Sequence, residues 1–179
     1  MRLAAIVCLS LMPVVGFSAG SDSPTVGKPV TTPTTETCKG IQVWDPSTKK
    51  CVNPTGSSLD QDLLGEAVRE LAYAGRNEDA QGVLRAMADQ ESDLVLTYWG
   101  FTHRKLGNMD QAKMFYDRAI EKNPDNILAR SYMGQGFVTE GKITQAKVQL
   151  EEIRARGGAG GWAEQSLAEA IESGQTSNY

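Results

Sequence analysis

The chain holds one histidine, His103, and three cysteines, Cys8, Cys38 and Cys51. A catalytic imidazole needs a nucleophile, or a substrate proton, within hydrogen-bond reach and a third group to orient it. The local pattern gives no serine or cysteine such a base. Carboxylates are numerous, but Glu151-Glu152 and the run Glu164, Glu169 and Glu172 fall at solvent-facing helical spacings, with no partner to shift a pKa. The sequence has no H-E-x-x-H, no phosphate-binding loop and no dinucleotide fingerprint. It therefore reads as non-enzymatic, with no catalytic residue and no cofactor.

The cysteines do a different chemistry. Arg2 followed by a largely apolar stretch from Leu3 to Val15, then Gly16 to Gly20 with small residues for cleavage, has the build of a secretory signal peptide over 1–19. Removing it takes Cys8 and leaves Cys38 and Cys51. An even count in an exported chain predicts a disulfide. Closing residues 39–50 into a loop restricts the unfolded chain by roughly 3 kcal/mol on the chain-entropy model. A zinc site needs more ligands than two thiols, and no histidine lies near. The predicted location is exported, periplasmic or else secreted, with no stable membrane insertion after cleavage.

Residues 20–37 are rich in threonine and proline and poor in apolar bulk, which predicts a disordered linker. Residues 38–57 predict a small hairpin. Ile41 and Val43 alternate with Gln42 as in a strand, and Asp45-Pro46-Ser47-Thr48 is turn chemistry. The string from Gly40 to Val52 resembles one hairpin of the small cysteine-rich chitin-binding modules, although those modules carry more cysteines. That resemblance makes Trp44 a candidate glycan contact. Packing of Trp44 onto the clasp or the first helix is the competing reading.

From 58 to 174 the pattern is helical. Leu63, Leu64, Ala67, Val68 and Leu71 form one apolar stripe, with Ser57 or Ser58 as its cap. Gly75 stops this helix, and Ala80, Val83, Leu84 and Met87 form the stripe of the next. A pair then runs from Asp93 to Gly107 and from Asn108 to Asn123. A third runs from Ile127 to about Glu140 and from Ile143 to Arg156. After the glycines at 157, 158, 160 and 161, a last helix carries Trp162, Leu167, Ala170 and Ile171.

The two central pairs repeat each other at a period of 34. Gly100 and Gly134, Gly107 and Gly141, and Ala112 and Ala146 coincide in register. With Leu96, Trp99, Tyr116, Ala119 and Pro124, the segment from Asp93 to Asn126 resembles the tetratricopeptide repeat family. His103 stands where that family usually has tyrosine, and Gly158 where it usually has proline. The resemblance implies an all-α helical solenoid of about three helix pairs plus a C-terminal capping helix. It also implies a protein-binding role.

In that family the first helix of each pair lines a concave groove. The positions so implied are Glu66, Arg69 and Tyr73, then Thr97, Tyr98, Phe101, Arg104 and Lys105, then Ser131, Tyr132, Gln135 and Thr139. The partner-binding set is Arg69, Tyr98, Phe101, Arg104, Lys105, Tyr132 and Gln135, because aromatic and arginine residues dominate binding hot spots. Tyr98 and Tyr132 could instead pack against the preceding helix pair. Thr97 and Ser131 replace the lysines of the family's carboxylate-gripping members, so that clamp is not present in matching form. Net charge is −4 with Lys and Arg dispersed, which argues against nucleic acid as partner. The expected function is an exported scaffold that holds a peptide or helix of another envelope protein. The alternative is a cell-wall or glycan-binding accessory protein that uses the hairpin.

Overall fold

The computed structural model describes residues 29–177. The expected signal peptide and residues 20–28 of the expected linker lie outside the described residues. The described chain is mostly helical, with one two-stranded hairpin.

Residues 32–37, expected in the disordered linker, are instead ordered. They include a short helix, α1 (Pro33–Glu36), capped by the Thr32 hydroxyl. The carboxylate of buried Glu70 organises this turn. It accepts from the Thr32 amide and hydroxyl, both at 2.7 Å, from the Thr35 amide at 3.2 Å and from the Thr35 hydroxyl. Several charge-assisted bonds on one carboxylate offset the chain entropy that composition alone leaves uncompensated.

The hairpin pairs β1 (Val43–Asp45) with β2 (Lys50–Val52), antiparallel, with Trp44 opposite Cys51. Cys38 and Cys51 are joined. The Asp45 carboxylate holds the turn. It accepts from the Ser47 hydroxyl at 2.6 Å, the Thr48 hydroxyl at 2.7 Å and the Ser47 amide at 2.8 Å. These bonds, the Ser47 hydroxyl first, lower its pKa to about 2.

The helices follow as α2 (Gln61–Tyr73), α3 (Asn77–Leu84), α4 (Asp93–Lys105), α5 (Met109–Lys122), α6 (Ile127–Thr139), α7 (Ile143–Ile153) and α8 (Trp162–Ser173). Asp60, not Ser57 or Ser58, caps α2, its carboxylate accepting from the Leu63 amide at 2.7 Å. Ser92 and Asn126 cap α4 and α6 in the same way. α4 and α6 end alike. Gly107 and Gly141 take φ of 83° and 72°, and the residue after each returns its amide to the last turn, Asn108 to His103 and Lys142 to Phe137. Only glycine adopts that left-handed cap without cost. Regular geometry in α7 stops at Ile153, short of Arg156, and a wider turn carries the chain to Gly158.

Each first helix packs on its own second helix and on both helices of the pair before it: α4 on α2 and α3, α6 on α4 and α5, α8 on α6 and α7. α6 is therefore central, and every residue from Ala129 to Val138 is buried. Helix approach depends on missing side chains. A Cβ on Gly100 would stand 2.5 Å from the Tyr116 ring. A Cβ on Gly134 would meet Leu167 at 2.6 Å, so this glycine serves the contact with α8 and not that with α7. The hairpin is not an appendage. Val43 is fully buried in the common core, and Ile41 fills the space beside Gly82 of α3. Arg76, at the start of α3, donates to the carbonyls of Thr34, Cys38 and Gly40 and locks the clasp to the first pair.

Candidate partner-binding face

The spacing of α2, α4, α6 and α8 brings one aromatic residue from each into a line. Tyr73 meets Phe101 edge-on at 5.6 Å between centroids, Phe101 meets Tyr132 at 4.7 Å, and Tyr132 meets Trp162 at 6.0 Å. Tyr98 lies beside the line, 6.5 Å from Tyr132. Edge-to-face rings attract beyond their area burial, by about 0.5–1.5 kcal/mol per pair. The Tyr73 and Tyr132 hydroxyls are hydrogen-bonded to one another.

Cations border the same line. Arg69 lies over Tyr73, and Arg104 and the Lys105 ammonium lie over Phe101, each between 5.4 and 5.8 Å from the ring centre. Burial, reinforced by the Arg104 charge, lowers the Lys105 pKa to about 8. Burial pushes the Tyr98 and Tyr132 phenols well above 10.

This arrangement differs from an open groove. Tyr98 is 3% exposed, Arg104 6%, and Phe101, Tyr132 and Gln135 are fully buried. The reason lies in the packing of α8 on α6. The Ser131 hydroxyl donates to the Ala163 carbonyl and the Gln135 amide to the Ser166 hydroxyl, so the α6 positions expected to face a partner face α8. Phe101 and Tyr132 are large enough to touch across neighbouring helices, and they close the wall from within. Of the expected set, Arg69 and Lys105 remain partly exposed, together with Tyr73 and Trp162 at the two ends of the line. Arg104 lies inside with Nε and Nη2 unbonded. Its stem rests where Gly136 leaves room, and Tyr116 is beside it.

Three contributors escape the sequence pattern. Trp162 reads as a capping-helix residue, and nothing in the sequence pattern singles out Ser166. Ser177 lies beyond the last helix, yet its carbonyl accepts from the Lys105 ammonium at 2.7 Å.

A second aromatic group faces the other side of the pair. The rings of Trp99, His103 and Phe115 stack, with Arg85 over Trp99 and Arg118 over Phe115. Partial burial first, then the Arg85 charge, lowers the His103 pKa. The imidazole packs against the two aromatic rings. Trp44 is half-buried on the side of β1 opposite Val43, and its amide donates to the Thr34 hydroxyl.

No protein-family model, curated protein or solved structure matches this chain.

Proposed function

We propose that the chain is an exported scaffold of the tetratricopeptide type that holds a peptide or helix of another protein of the cell envelope. The observation that carries this reading is the aromatic line from Tyr73 to Trp162, bordered by Arg69 and Lys105, on consecutive first helices. Partly exposed rings beside cations have the composition of interaction hot spots. Two units matched at 34 residues, with equal glycine caps, support the family assignment. The disulfide fits an oxidising compartment, and among the described residues no helix is long and apolar enough to cross a membrane. The active region is narrower than a full groove. Tyr73, Lys105, Arg69 and Trp162 contact the partner, while Tyr98, Phe101, Arg104, Tyr132 and Gln135 support them from inside.

A photoreactive side chain at Tyr73 or Lys105, introduced in the native host, should capture one partner reproducibly. The same group at Glu121, exposed on α5, should not. Equal capture from Glu121 would sink the reading.

The half-exposed Trp44 favours a second reading, glycan stacking on the hairpin. Retention of the purified protein on chitin or peptidoglycan, lost in Trp44→Ala, is the result it requires.

A further inference from the structure

Arg104 is 6% exposed, yet two of its buried nitrogens bond nothing. They are Nε and Nη2, whose N–H bonds run parallel and form one edge of the guanidinium fork. No carboxylate among the described residues comes within ion-pair distance of this charge. The Tyr116 hydroxyl, close enough to feel the Arg104 charge, is also buried and makes no hydrogen bond of normal geometry. Burial pushes the Tyr116 phenol up to about 12, so it keeps its proton.

Both groups line a cavity of about 220 Å³, its open mouth included, between α4, α5 and α6. Met109, Met133 and Phe137 give it apolar walls. Lys113 and Glu140 also line it, and both are exposed. Each already has a partner: Lys113 donates to Asp117 at 2.6 Å, and Glu140 accepts from Lys142 at 2.9 Å. Gly136 leaves the room. A Cβ there would come within 3.4 Å of the Arg104 Cδ and 3.5 Å of the Met109 Cε. Thr102 stands 34 residues earlier, so the repeat does not account for this glycine.

We propose that this cavity binds a small free monocarboxylate, seated on the Arg104 fork and the Tyr116 hydroxyl. Arg104 offers donors only, and the Tyr116 hydroxyl has nothing else to donate to. A water would accept these hydrogens but leave the buried charge uncompensated, which is strongly unfavourable. The two parallel N–H bonds of the fork match the two oxygens of a carboxylate. One positive charge beside a neutral phenol suits a monoanion better than a phosphate dianion. The apolar walls take a short carbon stem. Met109, half-exposed and unbranched, is the wall that yields on entry.

The test uses the full chain labelled with ¹⁵N and sodium acetate as the probe, against sodium chloride at equal ionic strength. The Arg104 Nε–H resonance, identified by its loss in Arg104→Met, should move saturably with acetate. Half-saturation should fall in the millimolar range, as the few contacts of so small an ion allow. Above that point the melting temperature should rise by about 3–5 °C per tenfold in acetate. Gly136→Ala should keep the fold and weaken acetate about tenfold, which separates loss of the site from loss of the protein. Acetamide, which lacks the charge, and inorganic phosphate should each bind at least tenfold more weakly. A folded parent that ignores acetate, an unchanged response in Gly136→Ala, or an equal response to acetamide or phosphate overturns the proposal. So does movement of the Nε–H resonance in Glu140→Gln without acetate, because Glu140 would then already fill the fork. An N-acetylated tripeptide acid that binds where acetate does not would assign the carboxylate to a partner protein and overturn the free acid.

Discussion

The side chain of Ile41, inside the disulfide loop, occupies the place that a side chain on Gly82 of α3 would take. An ideal Cβ there overlaps the Ile41 Cγ2 methyl and comes within 3.1 Å of its Cβ. This missing methyl is one of the places at which the hairpin is seated on the first helix pair, beside the burial of Val43 and the Arg76 bonds. Gly82→Ala should gain about 0.8–1 kcal/mol in helix propensity and lose about 1–3 kcal/mol to overpacking against a stiff branched side chain. The expected net is a loss. Adding Ile41→Ala should remove the clash, and a double-mutant cycle in urea should show the coupling. Strict additivity would mean that the two residues do not meet.

Reduction of Cys38–Cys51 should reach the helices. Loss of a native disulfide from a small exported domain costs about 2–5 kcal/mol, and here Val43 and Ile41 belong to the packed interior. Hydrogen exchange should accelerate in α2 and α3 on adding reductant and stay unchanged in α7. Protection that is equal in all helices before and after would show the hairpin to be dispensable.

Phe101→Ala should unfold rather than merely weaken the candidate face. Emptying a fully buried ring site costs about 3–5 kcal/mol. Glu121→Ala and Lys122→Ala, exposed on α5, should fall within about 0.5 kcal/mol. Denaturation midpoints decide this. A neutral Phe101→Ala would place the ring at the surface.

Three glycines should respond in opposite ways to alanine. At Gly100 and Gly134 the new methyl meets Tyr116 and Leu167 at 2.5 and 2.6 Å, so both variants should be destabilised. Gly65 of α2 has ordinary contact distance to its nearest neighbour, Leu94, at 3.6 Å. Gly65→Ala should therefore stabilise by about 0.5–1 kcal/mol. Thermal melts of the three variants test the order. A stabilised Gly100→Ala would contradict the close approach of α4 and α5.

Two groups give opposite ends of a pH profile. The His103 pKa is below its ordinary 6.5 in the fold. The unfolded chain therefore takes up that proton first as pH falls. The His103 contribution is whole above 6.5 and declines below it, and His103→Phe should flatten this limb. Lys105 has a pKa of about 8 in the fold against 10.5 ordinarily. Between those values the unfolded state holds the extra proton, so this term raises stability as pH climbs from about 8 toward 10.5. Lys105→Met should remove that rise. Profiles of the variants that match the parent would assign both limbs to other groups.

Much of this architecture is readable from local pattern. Helix ends followed from Gly75, Gly107 and Gly141 because a left-handed cap is a property of one residue and its neighbours. The disulfide followed from a cysteine count. Long-range pairings did not. Nothing near Glu70 announces that it will organise Thr32 and Thr35, and nothing near Gly82 announces Ile41. The family resemblance implied that Tyr98, Phe101, Tyr132 and Gln135 line one side of their helices, but a resemblance of repeat pattern does not say whether that side is open. α8 closes it, and the reach of a covering helix is a tertiary fact. Gly134 shares its register with Gly100 yet meets Leu167 of α8 where Gly100 meets Tyr116 of its own pair, since a small residue announces a close neighbour without naming it.

The two ends of the helical array are built from different material than its middle. A clasped hairpin seals one end and α8 the other, and neither recurs between them. Between the seals, α4 and α6 begin and end alike, each with a side-chain cap at its start and a left-handed glycine after its end. Chain length is thus a free parameter. A further 34-residue segment copied between Asn126 and Ile127 would meet on each side a surface already shaped for it, and the row of aromatic rings would lengthen by one. This is growth by insertion rather than extension, and it leaves the structure of both terminal seals as it is.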